Sequence, residues 1–121
     1  MKKASKKSTE RQLKTLSNRL DIVFSKWIRK RDGRCVVCGQ TYVLQNGHLI
    51  TRGVKSLRWD EKNCNCQCSG CNYRHEFRPE IYTAWFVAKY GTEEYMELVR
   101  RSKKIKKWTI DELKELIERY S

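Results

Sequence analysis

The chain has 121 residues, the length of one domain, and a domain of this size buries only roughly two-thirds of the surface that its unfolded chain exposes. Its net charge is +13, from 27 basic and 14 acidic residues. No apolar run approaches the roughly 20 residues of a membrane span, so the composition excludes a membrane-spanning protein. It favours a polyanionic partner.

The positive charge is concentrated near the N-terminus. Eleven lysines and arginines lie within residues 1–31, against only Glu10 and Asp21. So concentrated a field favours nucleic acid as the partner, with an anionic membrane surface as the second candidate. A charge excess kept only for solubility does not explain the clustering.

Two segments precede the first cysteine. Residues 1–9 are rich in lysine and serine and show no apolar period, so we predict a disordered basic arm. Residues 10–31 carry apolar side chains at three- and four-residue steps, which predicts an amphipathic helix. Its polar face is basic and supplies three candidate DNA contacts, namely Lys26, Arg29 and Lys30.

No helical period continues from Cys35 to about Asp60. The stretches 41–44, 48–51 and 56–59 are compatible with strands, and Gly47 and Gly53 interrupt them. We therefore expect a two-stranded hairpin with a long connecting loop in this segment.

Helix signals return after Cys68. Pro79 suits a first helical position, Gly91 suits the residue just past a helix, and Thr92 suits the cap of the next one. Thr109 and Glu112 have capping-box spacing ahead of a last helix. The sequence thus predicts one α+β domain over 10–121, with a metal-bound core at 35–78 between an N-terminal helix and C-terminal helices at 79–121.

Two Cys-x-x-Cys pairs, Cys35 with Cys38 and Cys68 with Cys71, predict a structural zinc site. Two thiolates three positions apart chelate one ion, and four make a closed tetrahedral Zn²⁺ site. Gly39 tolerates the left-handed turn that lets backbone N–H groups face sulfur.

The alternative to a metal site is a pair of disulfides. No apolar signal-peptide core precedes the cysteines, so we expect a cytoplasmic protein whose reduced thiols favour metal. Cys64 and Cys66 offer other pairings. On spacing, we assign them as buried small residues of a strand or loop.

His48, Asn63 and Asn72 form the candidate active site. His48 lies between the cysteine pairs, Asn63 lies five residues before Cys68, and Asn72 directly follows Cys71, so one zinc frame would gather all three. Phosphodiester hydrolysis needs a base near neutral pH and a divalent cation. Imidazole, with a pKa of about 6.5, suits the base, one amide oxygen suits the cation, and a second amide can fix the loop.

The succession of these residues resembles the HNH endonuclease signature in its zinc-knuckle form, with asparagine in place of the final histidine. The chain from about Leu13 to its end is more narrowly similar to the NinG/Rap family of lambdoid-phage recombination endonucleases. The segments that carry this similarity are LDIVFSKWIRKRD, CVVCG, GHLITR, LRWDEKN, QCSGCN and KKWTIDELKELIERY.

The resemblance implies a ββα-metal core in which His48 ends the first strand as general base. It implies that Asn63 supports His48 from a loop and that Asn72 binds Mg²⁺ or Mn²⁺ from the helix. It also implies action on branched recombination intermediates such as Holliday junctions and D-loops, in the host-cell cytoplasm if the protein is phage-encoded. Symmetric cleavage of two strands makes a homodimer attractive.

Gly47 is a departure from the pattern, because many HNH sites carry Asp or His immediately before the base as a second metal ligand. That ligand remains open among Asp60, Glu61, His75, solvent and phosphate. Arg52 and Arg74 are candidate phosphate contacts, with plain surface charge as the alternative.

Two other functions are compatible with the sequence. A non-catalytic zinc-containing DNA-binding module explains the charge and the cysteines, but it makes His48, Asn63 and Asn72 accidental. A general HNH nicking endonuclease without structure specificity shares the chemistry and differs only in its substrate.

Overall fold

A computed structural model describes residues 5–121, and within them the chain is a mixture of helices with one small sheet. The elements in chain order are α1 (Lys6–Asp32), β1 (Leu44–His48), a 3-10 turn (Lys55–Leu57), β2 (Cys64–Cys68), α2 (Ser69–Arg74), α3 (Pro79–Tyr90), α4 (Thr92–Ser102) and α5 (Ile110–Tyr120). The predicted α+β class is confirmed, since the described residues form five α-helices and a two-stranded sheet. No helix in the described part of the chain is long and apolar enough to cross a membrane.

The chain contains two compact units, and each is described by itself. The first contains the chain up to Trp27 together with Lys107–Ser121, and the second is Ile28–Lys106. The whole of the predicted metal core at 35–78 falls within the second unit.

The N-terminal end of the first unit differs from the predicted disordered basic arm. Residues 1–4 of that arm lie outside the described residues, but α1 begins at Lys6, so residues 6–9 are helical. Ser5 supplies the reason: its Oγ accepts a hydrogen bond from Ser8 N at 3.0 Å, as a helix cap does. Composition favours disorder for this segment, whereas in the structure α1 extends to Lys6 and Ser5 caps it.

Aromatic packing and a capping box organise the rest of the first unit. Phe24 and Trp27 of α1 contact Tyr120 of α5 edge-on, with ring centroids 4.7 and 4.9 Å apart. Thr109 Oγ1 accepts from Glu112 N at 3.1 Å, and Glu112 Oε1 accepts from Thr109 N at 3.0 Å. The capping box predicted for the last helix is therefore confirmed.

The sheet of the second unit has two antiparallel strands, as predicted, but not at the predicted positions. Leu44 pairs with Cys68 and His48 pairs with Cys64, so β1 spans most of the gap between the stretches 41–44 and 48–51. The stretch 56–59 overlaps the 3-10 turn instead. Strand β2 was missed although its sequence, CNCQC, alternates cysteine with amide side chains, because all five residues are buried against partners distant in the chain.

The outer edge of β2 is covered by the end of α1 and the first cysteine loop. Asp32 Oδ2 accepts from Cys66 N at 2.8 Å, and Val36 N donates to Cys66 O at 2.9 Å. Arg31 Nη2 donates to Cys64 O at 3.1 Å and to Asn65 Oδ1 at 3.0 Å. These bonds satisfy main-chain groups that an open edge strand would leave unpaired.

Helices α3 and α4 complete the second unit. Pro79 occupies the first turn of α3 as predicted, but the cap of α4 is Gly91 rather than Thr92. Gly91 has φ 93°, a conformation that glycine adopts without strain, and it serves as both the end of α3 and the start of α4. The buried core of this unit consists of Leu49, Leu57, Tyr82, Phe86 and Leu98.

We expect Asp32→Ala to lower the free energy of unfolding by about 2 kcal/mol, because it removes a carboxylate that accepts a hydrogen bond from the Cys66 N–H. Denaturant unfolding of the two proteins measures the difference. Glu10→Ala, which removes an exposed carboxylate from α1, is the matched control and should change the free energy by less than about 0.5 kcal/mol. Equal stability of Asp32→Ala and the parent would contradict the assigned role.

Candidate metal centre and catalytic site

The first cysteine pair lies in a tight loop between α1 and β1. Cys38 N faces Cys35 Sγ at 3.5 Å, and Gly39 N donates to Cys35 O at 2.8 Å. Gly39 has φ 82°, which is the left-handed turn expected from the sequence. The loop thus directs backbone N–H groups toward sulfur, as zinc knuckles do.

The second pair lies where β2 passes directly into α2. Cys68 is both the last residue of the strand and the N-cap of the helix, and its Sγ accepts from Cys71 N at 3.4 Å. The Sγ atoms of Cys38 and Cys68 are 3.7 Å apart, and the four sulfurs of the two pairs all lie within 4.8 Å of one another. All six cysteines are free, so the disulfide alternative is wrong. Four clustered thiols are positioned to bind one metal ion, and this donor set is that of a structural zinc site.

The pKa values of the cysteines do not separate the cluster from the other two, because burial raises the pKa of Cys71 as it does those of Cys64 and Cys66. Burial alone would raise the pKa of Cys35, but backbone hydrogen bonds to its sulfur outweigh burial and lower the pKa to about 7. Burial raises the pKa of Cys66 to about 11 and that of Cys64 still higher. Cys64 and Cys66 are buried residues of β2, as predicted, and their sulfurs are not among the four that cluster.

His48 is the last residue of β1, the position that the family resemblance implied. Its Nε2 lies 2.8 Å from the main-chain oxygen of Arg58. A carbonyl oxygen only accepts, so Nε2 carries the hydrogen, and in the neutral ring the basic nitrogen is Nδ1. Cys64 Sγ donates to the same oxygen at 3.4 Å.

Asn63 is completely buried and fastens the loop that follows His48. Its Oδ1 accepts from Ile50 N at 2.8 Å, and its Nδ2 donates to Ile50 O at 3.0 Å and to Leu57 O at 3.1 Å. Its main-chain oxygen accepts from Leu49 N at 2.8 Å. Asn63 thereby fixes both the residues just after His48 and the turn just before Arg58.

Asn72 and His75 connect α2 and the following turn to β1. Asn72 contacts Gln45 near the start of the strand, and His75 contacts Leu49, the residue just past its end. Asn72 Nδ2 donates to Gln45 Oε1 at 2.8 Å, and His75 Nε2 donates to Leu49 O at 2.7 Å. Gln45 and His48 are three positions apart on β1, so their side chains leave the strand on opposite faces. The structure therefore brings Asn72 to β1 on the face opposite the one that His48 occupies at the strand end.

Gly47 lies on the α2 side of the sheet, where the space for a side chain is already filled. A Cβ atom at this position would be 2.0 Å from Gln67 Oε1. Gln67 is 1% exposed, and among residues 5–121 neither atom of its amide has a hydrogen-bond partner. Sequence reasoning missed Gln67, because the register pairs it with Gln45 and its side chain reaches Gly47 diagonally across the sheet.

Asp60, one of the residues left open as the second ligand of a catalytic cation, has a structural role in the fold. Its Oδ2 accepts from Arg101 at 2.7 Å, while its Oδ1 accepts from the main-chain N–H groups of Lys62 and Asn63 at 3.0 and 2.9 Å. Both oxygens are used to hold the loop. His75 differs, because its Nδ1 is buried and has no hydrogen-bond partner within the described residues.

The predicted DNA contacts are all on the surface. Arg52 follows the end of β1 in the connecting loop, and Arg74 is the last residue of α2. The basic residues of α1, Lys26, Arg29 and Lys30, are exposed as well. Their exposure is compatible with phosphate binding.

A two-stranded sheet, a helix that follows it directly and four converging cysteines define a small α+β protein with a metal-binding site. The chain belongs to the bacteriophage lambda NinG protein family, whose model matches residues 1–121. No curated protein and no solved structure matches it significantly.

We expect the purified protein to contain about one zinc ion per chain and Cys68→Ala to lose it, because three thiolates do not close a tetrahedral site. Metal analysis by mass spectrometry gives the ratio. Cys66→Ala removes an equally buried cysteine that lies outside the cluster, and it should keep the zinc. Loss of zinc from both variants, or from neither, would contradict the assignment of the four ligands.

We expect Gly47→Ala to destabilise the protein by about 1–3 kcal/mol, because the new methyl group overlaps the Gln67 amide. Gly53→Ala adds a methyl group to open space and is the control, to be compared by thermal unfolding. The double variant Gly47→Ala with Gln67→Ala should recover part of the loss, since it removes the overlapping amide. A loss that persists unchanged in the double variant would refute this explanation of Gly47.

Proposed function

We propose that this protein is a metal-dependent DNA endonuclease of the HNH type that hydrolyses phosphodiester bonds in branched recombination intermediates. The observation that carries the proposal is the setting of His48. It ends β1 with Nε2 bonded to a backbone carbonyl, and the loop beside it is fixed by a buried asparagine. Such a histidine is prepared to act as a general base.

In this proposal Nδ1 of His48 takes the proton of the attacking water. The Arg58 carbonyl keeps the ring in the tautomer that leaves Nδ1 basic, and it stabilises the positive charge that the ring acquires. Asn63 acts through the backbone, since it fixes Leu49, Ile50 and Leu57 on either side of this contact. It is a positioning residue and does not touch the reacting atoms.

A divalent cation, Mg²⁺ or Mn²⁺, would neutralise charge on the phosphate and on the leaving oxygen. Asn72 gives its Nδ2 to Gln45, which leaves Oδ1 as the atom that would hold the cation. Gly47 supplies no ligand, and the Gln67 Oε1 occupies the space where a side chain at that position would begin. An amide oxygen is a suitable ligand for a hard cation. Asn72 supplies one such oxygen, on the face of β1 opposite His48, so the described side chains alone do not complete a cation site beside the base.

DNA is the substrate that the charge supports. The net charge is +13, and Arg52, Arg74, Lys26, Arg29 and Lys30 are exposed. Lysines and arginines that contact phosphates release counterions, so binding should weaken steeply with salt. We further propose a homodimer for symmetric cleavage of a four-way junction, acting in the cytoplasm of the host cell.

The test is nicking of an end-labelled four-way junction in the presence of magnesium or manganese. We expect His48→Ala to lower the rate by at least about 100-fold, the contribution typical of a general base. Zinc content and thermal stability should match those of the parent. Lys104→Ala, an exposed lysine without an assigned role, should cut at the parental rate.

Two results would refute parts of the proposal. Cleavage by His48→Ala at the parental rate would exclude His48 as the base. Absence of turnover by the parent with any divalent ion, with salt-sensitive DNA binding retained, would favour the non-catalytic zinc module. Competition with linear duplex then distinguishes a junction enzyme from a general nicking enzyme.

A further inference from the structure

An exposed aromatic pair on α2 and the turn after it has no role in the fold or in the proposed hydrolysis. Tyr73 is 68% exposed and Phe77 is 59% exposed. Their ring centroids are 5.3 Å apart and the ring planes cross at 76°. Large aromatic side chains bury apolar surface when they stabilise a core, so two adjacent exposed rings mark a binding surface.

The pair belongs to a larger exposed apolar strip. Val43 O accepts from Ser69 N at 3.0 Å, which places the exposed Tyr42 and Val43 at the start of α2. Ser69, Tyr73 and Phe77 follow at four-residue intervals, so they continue along one side of the helix and the turn after it. Four of the seven exposed large hydrophobic residues in the described chain are thus associated with α2.

The charges beside the rings indicate the chemistry of the partner. Arg74 follows Tyr73, Arg78 follows Phe77, and both arginines are exposed. Arg78 forms an ion pair with Glu80 at 2.6 Å, but both side chains are 60% exposed, and pairs of this kind are weak enough to exchange for a phosphate. Aromatic side chains together with basic ones are the combination that binds single-stranded nucleic acid, whereas an apolar protein partner would not need the arginines.

We propose that unpaired DNA bases stack on Tyr73 and Phe77 while Arg74 and Arg78 contact the flanking phosphates. This surface is called the stacking ridge below. The inference rests on the proposed function, because it takes DNA as the partner.

The ridge gives the protein a physical means of choosing its substrate. In continuous duplex each base face is already covered by its neighbours. Base faces become available only at branches, gaps and loops, where stacking on an aromatic side chain contributes about 1–3 kcal/mol per base. The stacking ridge therefore favours interrupted duplex without reading sequence.

The experiment measures binding without catalysis. Fluorescence anisotropy, with no added divalent cation, compares a continuous duplex with the same duplex carrying three unpaired thymines. We expect Tyr73→Ala with Phe77→Ala to weaken binding of the interrupted duplex roughly tenfold, and binding of the continuous duplex by less than about twofold. Met96→Ala, a 55% exposed apolar residue elsewhere, is the matched control and should change neither.

Conservative variants and a spectroscopic probe distinguish stacking from general hydrophobicity. Tyr73→Phe keeps a ring and should bind as the parent does, whereas Tyr73→Leu should behave like Tyr73→Ala. A 2-aminopurine at the unpaired position should lose fluorescence when it stacks on the parent protein, and not on the double variant. Since both rings are exposed, the variants at Tyr73 and Phe77 should have the same zinc content and helix content as the parent.

Two results would overturn the inference. One is parental binding of the interrupted duplex by the double variant. The other is an equal loss of affinity for both DNAs, which would indicate a general defect. Because no hydrolysis is measured, an inactive parent that still prefers unpaired thymines through these rings refutes only the nuclease proposal. An active parent without that preference refutes only the stacking ridge.

Discussion

Convergence of two cysteine pairs is the constraint on which the rest of the second unit depends. Their four sulfurs lie within 4.8 Å of one another although the pairs are 30 residues apart along the chain. Cys68 ends β2 and caps α2 at once, so the site leaves no loop between strand and helix. The direction of α2 is thereby fixed relative to the sheet, and with it the positions of Asn72, Tyr73 and His75.

Burial of β2 is the second consequence of this arrangement. A strand of sequence CNCQC brings polar groups into the interior, and buried polar groups need partners. Arg31 and Asp32 supply them at the outer edge, while Tyr82 accepts from Asn65 Nδ2 at 3.0 Å and donates to Gly47 O at 2.8 Å. The end of α1 is therefore a structural part of the site, although sequence patterns identify it only as a basic helix.

The sequence predicted correctly those features that depend on residues close together in the chain. Apolar spacing and the Thr109 capping box predicted the helices, and the Cys-x-x-Cys spacing predicted the metal site. Strand β2 escaped prediction because its stability comes from partners distant in the chain. The same limit hid Gln67 and left Asp60 open, since the amide beside Gly47 and the Arg101 ion pair exist only in the folded chain.

The metal centre and the proposed catalytic base have separate physical tasks. Four thiolates complete a tetrahedral zinc shell, which leaves no position for a reacting water, so hydrolysis has to use groups outside that shell. His48 meets this requirement through a main-chain carbonyl, a partner that no substitution at Arg58 removes.

What the cysteines contribute is the rigidity that holds β2 and α2 together. A sheet of two strands has little stability of its own, and the same frame carries the base, Asn72 and the exposed rings. In the proposed nuclease, loss of zinc would therefore abolish activity by releasing the elements that hold these groups, while the hydrolysis itself would need no zinc.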